Sequence, residues 1–204
     1  MVLYGHVRKS TQPVKIFIKL EVSKISKLIN NHLRDGYSDY NLLFLKRYVN
    51  DLNINYKILD VGCGHYRNLY LFYKIGFKNL YGIDRLLPDP SEKPKKFKVN
   101  FIQSDILNGL PYKNKEFQIV LCNFVLMFIK SDCLFLVLDE ILRVTGDFCI
   151  IETQRQPYRG AKSQVKDYKF KDIIKHIESN GAFEILDKKI YKEKLIVRRL
   201  KSNG

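Results

Sequence analysis

Lys57-Ile58-Leu59-Asp60-Val61-Gly62-Cys63-Gly64-His65-Tyr66 decides how the chain is read. An apolar run interrupted by one Asp describes a strand buried on both faces, and Gly62 and Gly64 end it in a tight turn. Glycine there lets a ligand approach bare backbone. Leu69, Phe72 and Tyr73 follow at helical spacing over 68–74. Strand, glycine turn and helix in this order form the unit that holds nucleotide-sized ligands in doubly wound sheets.

Twenty residues after Gly64 a second short apolar run, Leu80-Tyr81-Gly82-Ile83, ends in Asp84. An acid at that place accepts hydrogen bonds from ribose hydroxyls in folds of this type. Val99-Asn100-Phe101-Ile102-Gln103-Ser104 repeats the pattern and ends in Asp105, and Phe117-Gln118-Ile119-Val120-Leu121-Cys122 ends in Asn123. The chain thus sets a polar side chain at each of four strand ends, along the edge where such sheets bind ligands.

These stretches, with Leu110-Pro111-Tyr112 leading into Phe117-Gln118-Ile119-Val120 and with Glu140-Ile141-Leu142-Arg143-Val144, resemble the class I S-adenosylmethionine (SAM)-dependent methyltransferases. The match is to the broad group written DVGCGxG, LPFxDxxFDxV and EhxRVLxPGG. It spans roughly residues 58–152 and rests on the order of several motifs. The resemblance implies an α/β fold: a Rossmann-like, seven-stranded, mostly parallel sheet with an antiparallel C-terminal hairpin strand. Helices are expected on both faces, with an N-terminal helical lid.

The 204 residues suit a single domain with a proper core: an N-terminal helical cap over 1–57, a SAM-binding core over 58–152 and a C-terminal helix with closing strands over 153–204. Hydrophobic residues make up 46%, which excludes a disordered chain. Cysteines 63, 122, 133 and 149 form no CxxC pair, and the histidines at 6, 32, 65 and 176 are scattered. Disulfides and a metal site are therefore not expected. With no membrane-length apolar run and no secretory signal, the expected location is cytoplasmic.

Net charge is +15, placed mainly outside the motif-bearing core: +6 over 1–57, +2 over 58–150 and +7 over 151–204. Such flanks attract polyanions. Amphipathic helices are expected over 14–32 and, capped by Ser38 or Asp39, over about 39–52. In the resembling family this region closes over the donor, which brings in Tyr37 and Tyr40. Pro88, Pro90 and Pro94 prevent the crossover helix usual after the second strand and leave a basic loop with Lys93, Lys95, Lys96 and Lys98. Ser131 or Asp132 is expected to cap a helix over 133–144, Phe148–Glu152 to form the fifth strand, and 170–179 a helix stopping at Asn180-Gly181. Strands over 183–191 and 195–200 close the sheet.

The resemblance implies roles for a set of residues. Gly62 and Gly64, with Cys63 between them, lie against the methionine part of SAM, and Asp60 orders the turn or reaches the donor's amino group through water. Asp84, followed by Arg85, binds the ribose. Asp105 accepts from the adenine amino group with Ile106 beside the ring, and Asn123 with Phe124 borders the sulfur and amino acid end. Two positions depart from the family pattern: Tyr66 replaces the third glycine, and Gln118 replaces the usual Asp. Tyr66 either leans outward or crowds the donor.

For the acceptor, Asn123-Phe124-Val125-Leu126 lacks the paired prolines of enzymes that methylate amino groups of bases, and Cys122 sits inside a strand, where a thiol is inert. His65 and Glu152 are the candidate general bases. The basic flanks favour RNA or DNA as acceptor. A small-molecule or protein acceptor is one alternative, and a catalytically inactive nucleic-acid-binding domain, its pocket filled by Tyr66, is another.

Overall fold

The computed structural model describes residues 36–89, 95–153 and 166–201; the expected helix over 14–32 lies outside these. The chain runs α1 (Asp39–Tyr48), β1 (Ile58–Val61), α2 (Arg67–Ile75), β2 (Leu80–Asp84), β3 (Asn100–Gln103), β4 (Phe117–Asn123), α3 (Ser131–Val144), β5 (Thr145–Glu152), α4 (Phe170–Asn180), β6 (Phe183–Lys189) and β7 (Lys194–Arg199). The seven strands pair in the order β3-β2-β1-β4-β5-β7-β6. β1 to β5 are parallel, and β7 runs antiparallel to both β5 and β6. The expected mostly parallel sheet with its closing hairpin is what forms.

Successive residues of a strand face opposite sides of the sheet, and the core divides accordingly. Ile58, Leu80, Ile119, Leu121, Phe148 and Ile150 pack with α1 and α2 on one face. Leu59, Val61, Ile83, Val120, Cys149 and Ile151 pack with α3 and α4 on the other. Burial on both faces is why β1 and β4 read as near-continuous apolar runs.

α1 begins where expected. The Ser38 hydroxyl accepts from the backbone N–H groups of Tyr40 (3.1 Å) and Asn41 (3.2 Å). Tyr40 is buried and its hydroxyl donates to Asp187 on β6, so it anchors α1 to the sheet. α3 begins differently: neither Ser131 nor Asp132 caps it, and Lys130 stands at the cap without a side-chain bond. Asp167 does the work from outside, accepting from the Ser131 N–H (2.8 Å) and hydroxyl (2.9 Å). Replacing Asp167 by alanine is expected to cost about 1 kcal/mol, read as a fall of roughly 2–4 °C in melting temperature. An unchanged melting temperature would mean that water serves this helix end equally well.

β5 starts at Thr145, three residues before the expected start, because Gly146 lets the strand lie against β4: a Cβ there would stand 2.8 Å from the Lys115 carbonyl oxygen. The Glu-x-x-Arg motif has a mechanical role. Arg143 donates to both carboxylate oxygens of Glu140 (2.6 and 2.7 Å) and to the carbonyls of Leu110 (2.9 Å) and Tyr112 (2.8 Å). The pair staples the loop before β4 onto α3. Gln118 is also structural, accepting from the Lys57 N–H at 2.9 Å. No helix among the described residues is long and apolar enough to cross a membrane.

Candidate functional site

A cleft of about 310 Å³ opens at the carboxyl ends of β1 to β4, within the size range of small-ligand pockets. Of the sequence-derived residues it is lined by Gly62, Asp84, Arg85, Asp105, Ile106 and Phe124. Its remaining walls come from neighbours that sequence reasoning passed over, among them Leu86, Leu107, Val125 and Phe128. Each stands one to five residues beyond a strand end already singled out, and that position was the available signal. Leu86, Leu107, Phe124 and Phe128 are large apolar side chains left exposed at the mouth.

The turn after β1 is fixed by close packing. Gly62 has φ +69°, and a Cβ on it would stand 2.3 Å from a methyl of Val125. Gly64 has φ +46° with open space around it, and its N–H donates to Asp84 at 2.9 Å. The other Asp84 oxygen accepts from the Leu86 N–H at 3.0 Å, so two backbone donors hold this carboxylate at the mouth. Asp105 caps the short helical turn Ile106–Asn108 through the Leu107 N–H (3.0 Å). Gly62→Ala combines a strained φ with a methyl–methyl overlap. It is expected to lower stability by about 1–3 kcal/mol, and Gly62→Ala with Val125→Ala is expected to recover part of that loss in a denaturant titration.

Asp60 lies beneath the turn, buried, and its Oδ2 has no hydrogen-bond partner among the described residues. Burial, and then the neighbouring Asp84, push its carboxyl up to about 8. Asp60 is not itself among the residues lining the cleft, but a buried carboxyl oxygen without a partner is what a cationic ligand group would satisfy. In a chain of net charge +15, Asp60, Asp84 and Asp105, at or just beyond the carboxyl ends of β1, β2 and β3, gather negative charge at this edge. The donor set suits a nucleoside carrying positive charge, which is what SAM is.

Several candidates turn away from the cleft. The Cys63 thiol is buried against Gly82, and burial pushes its pKa up. Tyr66 takes the left-handed conformation (φ 60°), which aims its ring into the core, where it meets Phe97 and Phe101 edge-on at 6.0 and 6.1 Å. It does not fill the cleft, so the reading of a pocket blocked by Tyr66 is overturned. His65 is exposed, accepting at Nδ1 from the Asp89 N–H (3.1 Å), and is absent from the cleft lining.

Asn123 and Glu152 sit in a buried polar network. Asn123 Nδ2 donates to Glu152 (2.7 Å), and its Oδ1 accepts from Asn41 (3.0 Å) and Asn68 (3.3 Å). The Ser38 hydroxyl donates to the same Glu152 oxygen, and Lys194 pairs with the other at 2.6 Å. Burial alone would lower the pKa of Lys194, but Asp39 and Glu152 outweigh it and hold the ammonium above its usual value. Glu152 is fully buried and engaged on both oxygens. It locks α1 to the ends of β4 and β5 and is not placed to take a proton from an acceptor in the cleft.

Residues 59–147 match the family model described as a methyltransferase domain. Among solved structures, a SAM-dependent methyltransferase from Aquifex aeolicus aligns with a TM-score of 0.58 at 19% identity, covering 89% of this chain and 98% of that one. The 1,6-didemethyltoxoflavin-N1-methyltransferase of Burkholderia thailandensis, solved with 1,6-didemethyltoxoflavin and S-adenosylhomocysteine, aligns with a TM-score of 0.55 at 14% identity over 89% of this chain and 80% of that one. Magnesium protoporphyrin IX methyltransferase from Synechocystis, solved with SAM, gives 0.52 at 16% identity over 87% and 79%. No curated protein sequence matches significantly. The order of the motifs, the order of the strands and the family match agree: residues 59–147 are similar to a methyltransferase domain, and the chain shares the fold of solved S-adenosylmethionine-dependent methyltransferases.

Proposed function

We propose that this chain transfers the methyl group of SAM to a nucleic acid. One observation carries the choice of acceptor: a basic, aromatic face formed by α2 and the segment before β3. No acidic residue lies between Asp60 and Asp84, or from 95 to 104, while Arg67, Lys74, Lys78, Lys95, Lys96 and Lys98 all do. Phe97 binds the two stretches together, packing on Tyr70 at 5.3 Å and on Tyr73 at 5.2 Å. Those tyrosines stack on each other at 5.9 Å, with Lys74 over Tyr70 at 4.9 Å and Lys78 over Tyr73 at 4.1 Å. Cations interleaved with aromatic rings suit a strand that offers phosphates and bases together.

In this reading the residues at the strand ends hold the donor. Asp84, fixed by two backbone N–H groups, takes the ribose hydroxyls, and Asp105 with Ile106 takes the adenine. Asp60 faces the amino group, and Gly62 keeps the backbone bare beside the amino acid portion. When bound, the donor supplies a methyl group activated on a sulfonium sulfur, which an acceptor lone pair takes in line as the carbon–sulfur electrons return to sulfur. Holding the partners in line is worth several kcal/mol by itself, so the protein's main task is orientation.

The test is transfer of labelled methyl from SAM into fractionated cell extract. Label is expected in nuclease-sensitive polymer, and Lys95→Glu with Lys96→Glu and Lys98→Glu is expected to reduce it most at low salt and to make its fall with rising salt shallower. A second reading, a small planar acceptor, draws support from two fold neighbours named for toxoflavin and porphyrin substrates. Label confined to low-mass, nuclease-resistant material would establish that reading and refute the first.

A further inference from the structure

A second cavity lies on the same edge of the sheet, where β5 ends and β7 begins. Its volume is about 560 Å³, and Lys166, Tyr168, Lys169, Lys171, Tyr191 and Glu193 are among its walls. The Thr153 N–H donates to the Glu193 carbonyl at 2.9 Å, which fixes the loop between β6 and β7 against the end of β5. The segment after β4 links this cavity to the donor cleft. Phe124, Val125, Phe128 and Ile129 line the cleft, and two residues further on Ser131 holds Asp167, the neighbour of Tyr168. Tyr168 packs into the same apolar cluster as Leu126 and Ile129.

The chemistry of the walls is specific. Glu193 is neutralised by Lys166 and also accepts from the Thr153 hydroxyl, so it adds no net negative charge. Lys169 and Lys171 form no ion pair with a described residue and supply the free positive charge. Tyr191 presents its ring at 82% exposure. The Tyr168 hydroxyl is buried with no hydrogen-bond partner among the described residues. Aromatic faces, two ammonium groups and a hydroxyl unpaired among the described residues meet the three parts of a nucleotide: a π-face, a phosphate and a polar base edge.

We infer that this cavity receives a single nucleotide unit of the acceptor, with its base against the tyrosines and its phosphate toward Lys169 and Lys171. The inference rests on the nucleic-acid reading above. Chemistry on a base requires that the base leave its stack, and a one-nucleotide cavity on the same sheet edge as the donor cleft provides a place for it.

The experiment uses the whole chain saturated with S-adenosylhomocysteine, titrated by calorimetry with the 5′-monophosphates of adenosine, guanosine, cytidine and uridine. At least one is expected to bind. Tyr191→Ala, at an exposed position, is expected to weaken binding about tenfold. Lys169→Glu with Lys171→Glu is expected to remove the preference for the monophosphate over the bare nucleoside, and both variants keep the parent's affinity for S-adenosylhomocysteine. Failure of all four nucleotides to bind the parent, or binding that neither variant alters, overturns the inference. If label nevertheless enters nuclease-sensitive polymer, the acceptor reading survives and this cavity is not its site. If the variants lose nucleotide binding while label enters only low-mass material, the cavity stands and its natural occupant is a free nucleotide.

Discussion

Asp60→Asn will make the ligand-free protein more stable at pH 8 and weaken its hold on S-adenosylhomocysteine by about ten- to a hundredfold. The carboxyl is buried, and its pKa rises to about 8 from the ordinary carboxylate range. Between those two values the folded state keeps a proton that the unfolded chain releases. Stability from this group is therefore complete below about pH 4 and is lost as pH rises toward 8. Asparagine does not ionise, so the variant escapes that loss, and its melting temperature at pH 8 should exceed the parent's by several degrees.

The donor's ammonium interacts favourably only with the ionised form of Asp60. In the parent, affinity should rise about tenfold per pH unit from 6 to 8 and then level off. The variant loses a charge-assisted hydrogen bond worth about 1.5–3 kcal/mol, and with it the pH dependence. Parallel calorimetric titrations at pH 6, 7 and 8 check both halves. Equal affinities in parent and variant would separate Asp60 from the donor. Stability bought by giving up a function is the expected signature of a site residue.

Glu152→Ala will cost about 3–5 kcal/mol, a fall of roughly 10 °C in melting temperature for a chain of this size. The change removes the buried partner of Lys194 at 2.6 Å, leaving its ammonium only the more exposed Asp39, and removes the acceptor for Ser38 and Asn123. Removing both charges together is much milder, because an ion pair in the interior has already spent most of its attraction on desolvation. Glu152→Gln with Lys194→Met keeps the polar contacts and should stay within a few degrees of the parent while still binding S-adenosylhomocysteine. A melting temperature unmoved by Glu152→Ala would show that the end of β5 is open to solvent and reinstate Glu152 as a candidate base.

The parts of the fold legible in the sequence are those fixed by local chemistry. β1 and β4 stand out because burial on both faces demands continuous apolar residues, and the acids ending β1 and β2 and the amide ending β4 stand out because they interrupt that pattern. The Ser38 cap was legible because a hydroxyl ahead of a helix has one obvious task. What escaped depends on residues distant in the chain. The cap of α3 comes from Asp167, 36 positions away, which no local signal announces. Glu152 reads as a possible base until Lys194, Ser38 and Asn123 close around it. Tyr66 was ambiguous because its direction follows from a left-handed backbone that the residue name does not reveal. Asp105 keeps its expected place, though outside β3, which ends at Gln103.

The most direct test is a crystal structure of the protein with S-adenosylhomocysteine. The nucleoside should lie between Asp84 and Asp105, with the ligand's ammonium toward Asp60 and the Tyr66 ring still packed on Phe97. Ligand density anywhere else on the molecule, or a nucleoside that touches neither Asp84 nor Asp105, would contradict this account of the site.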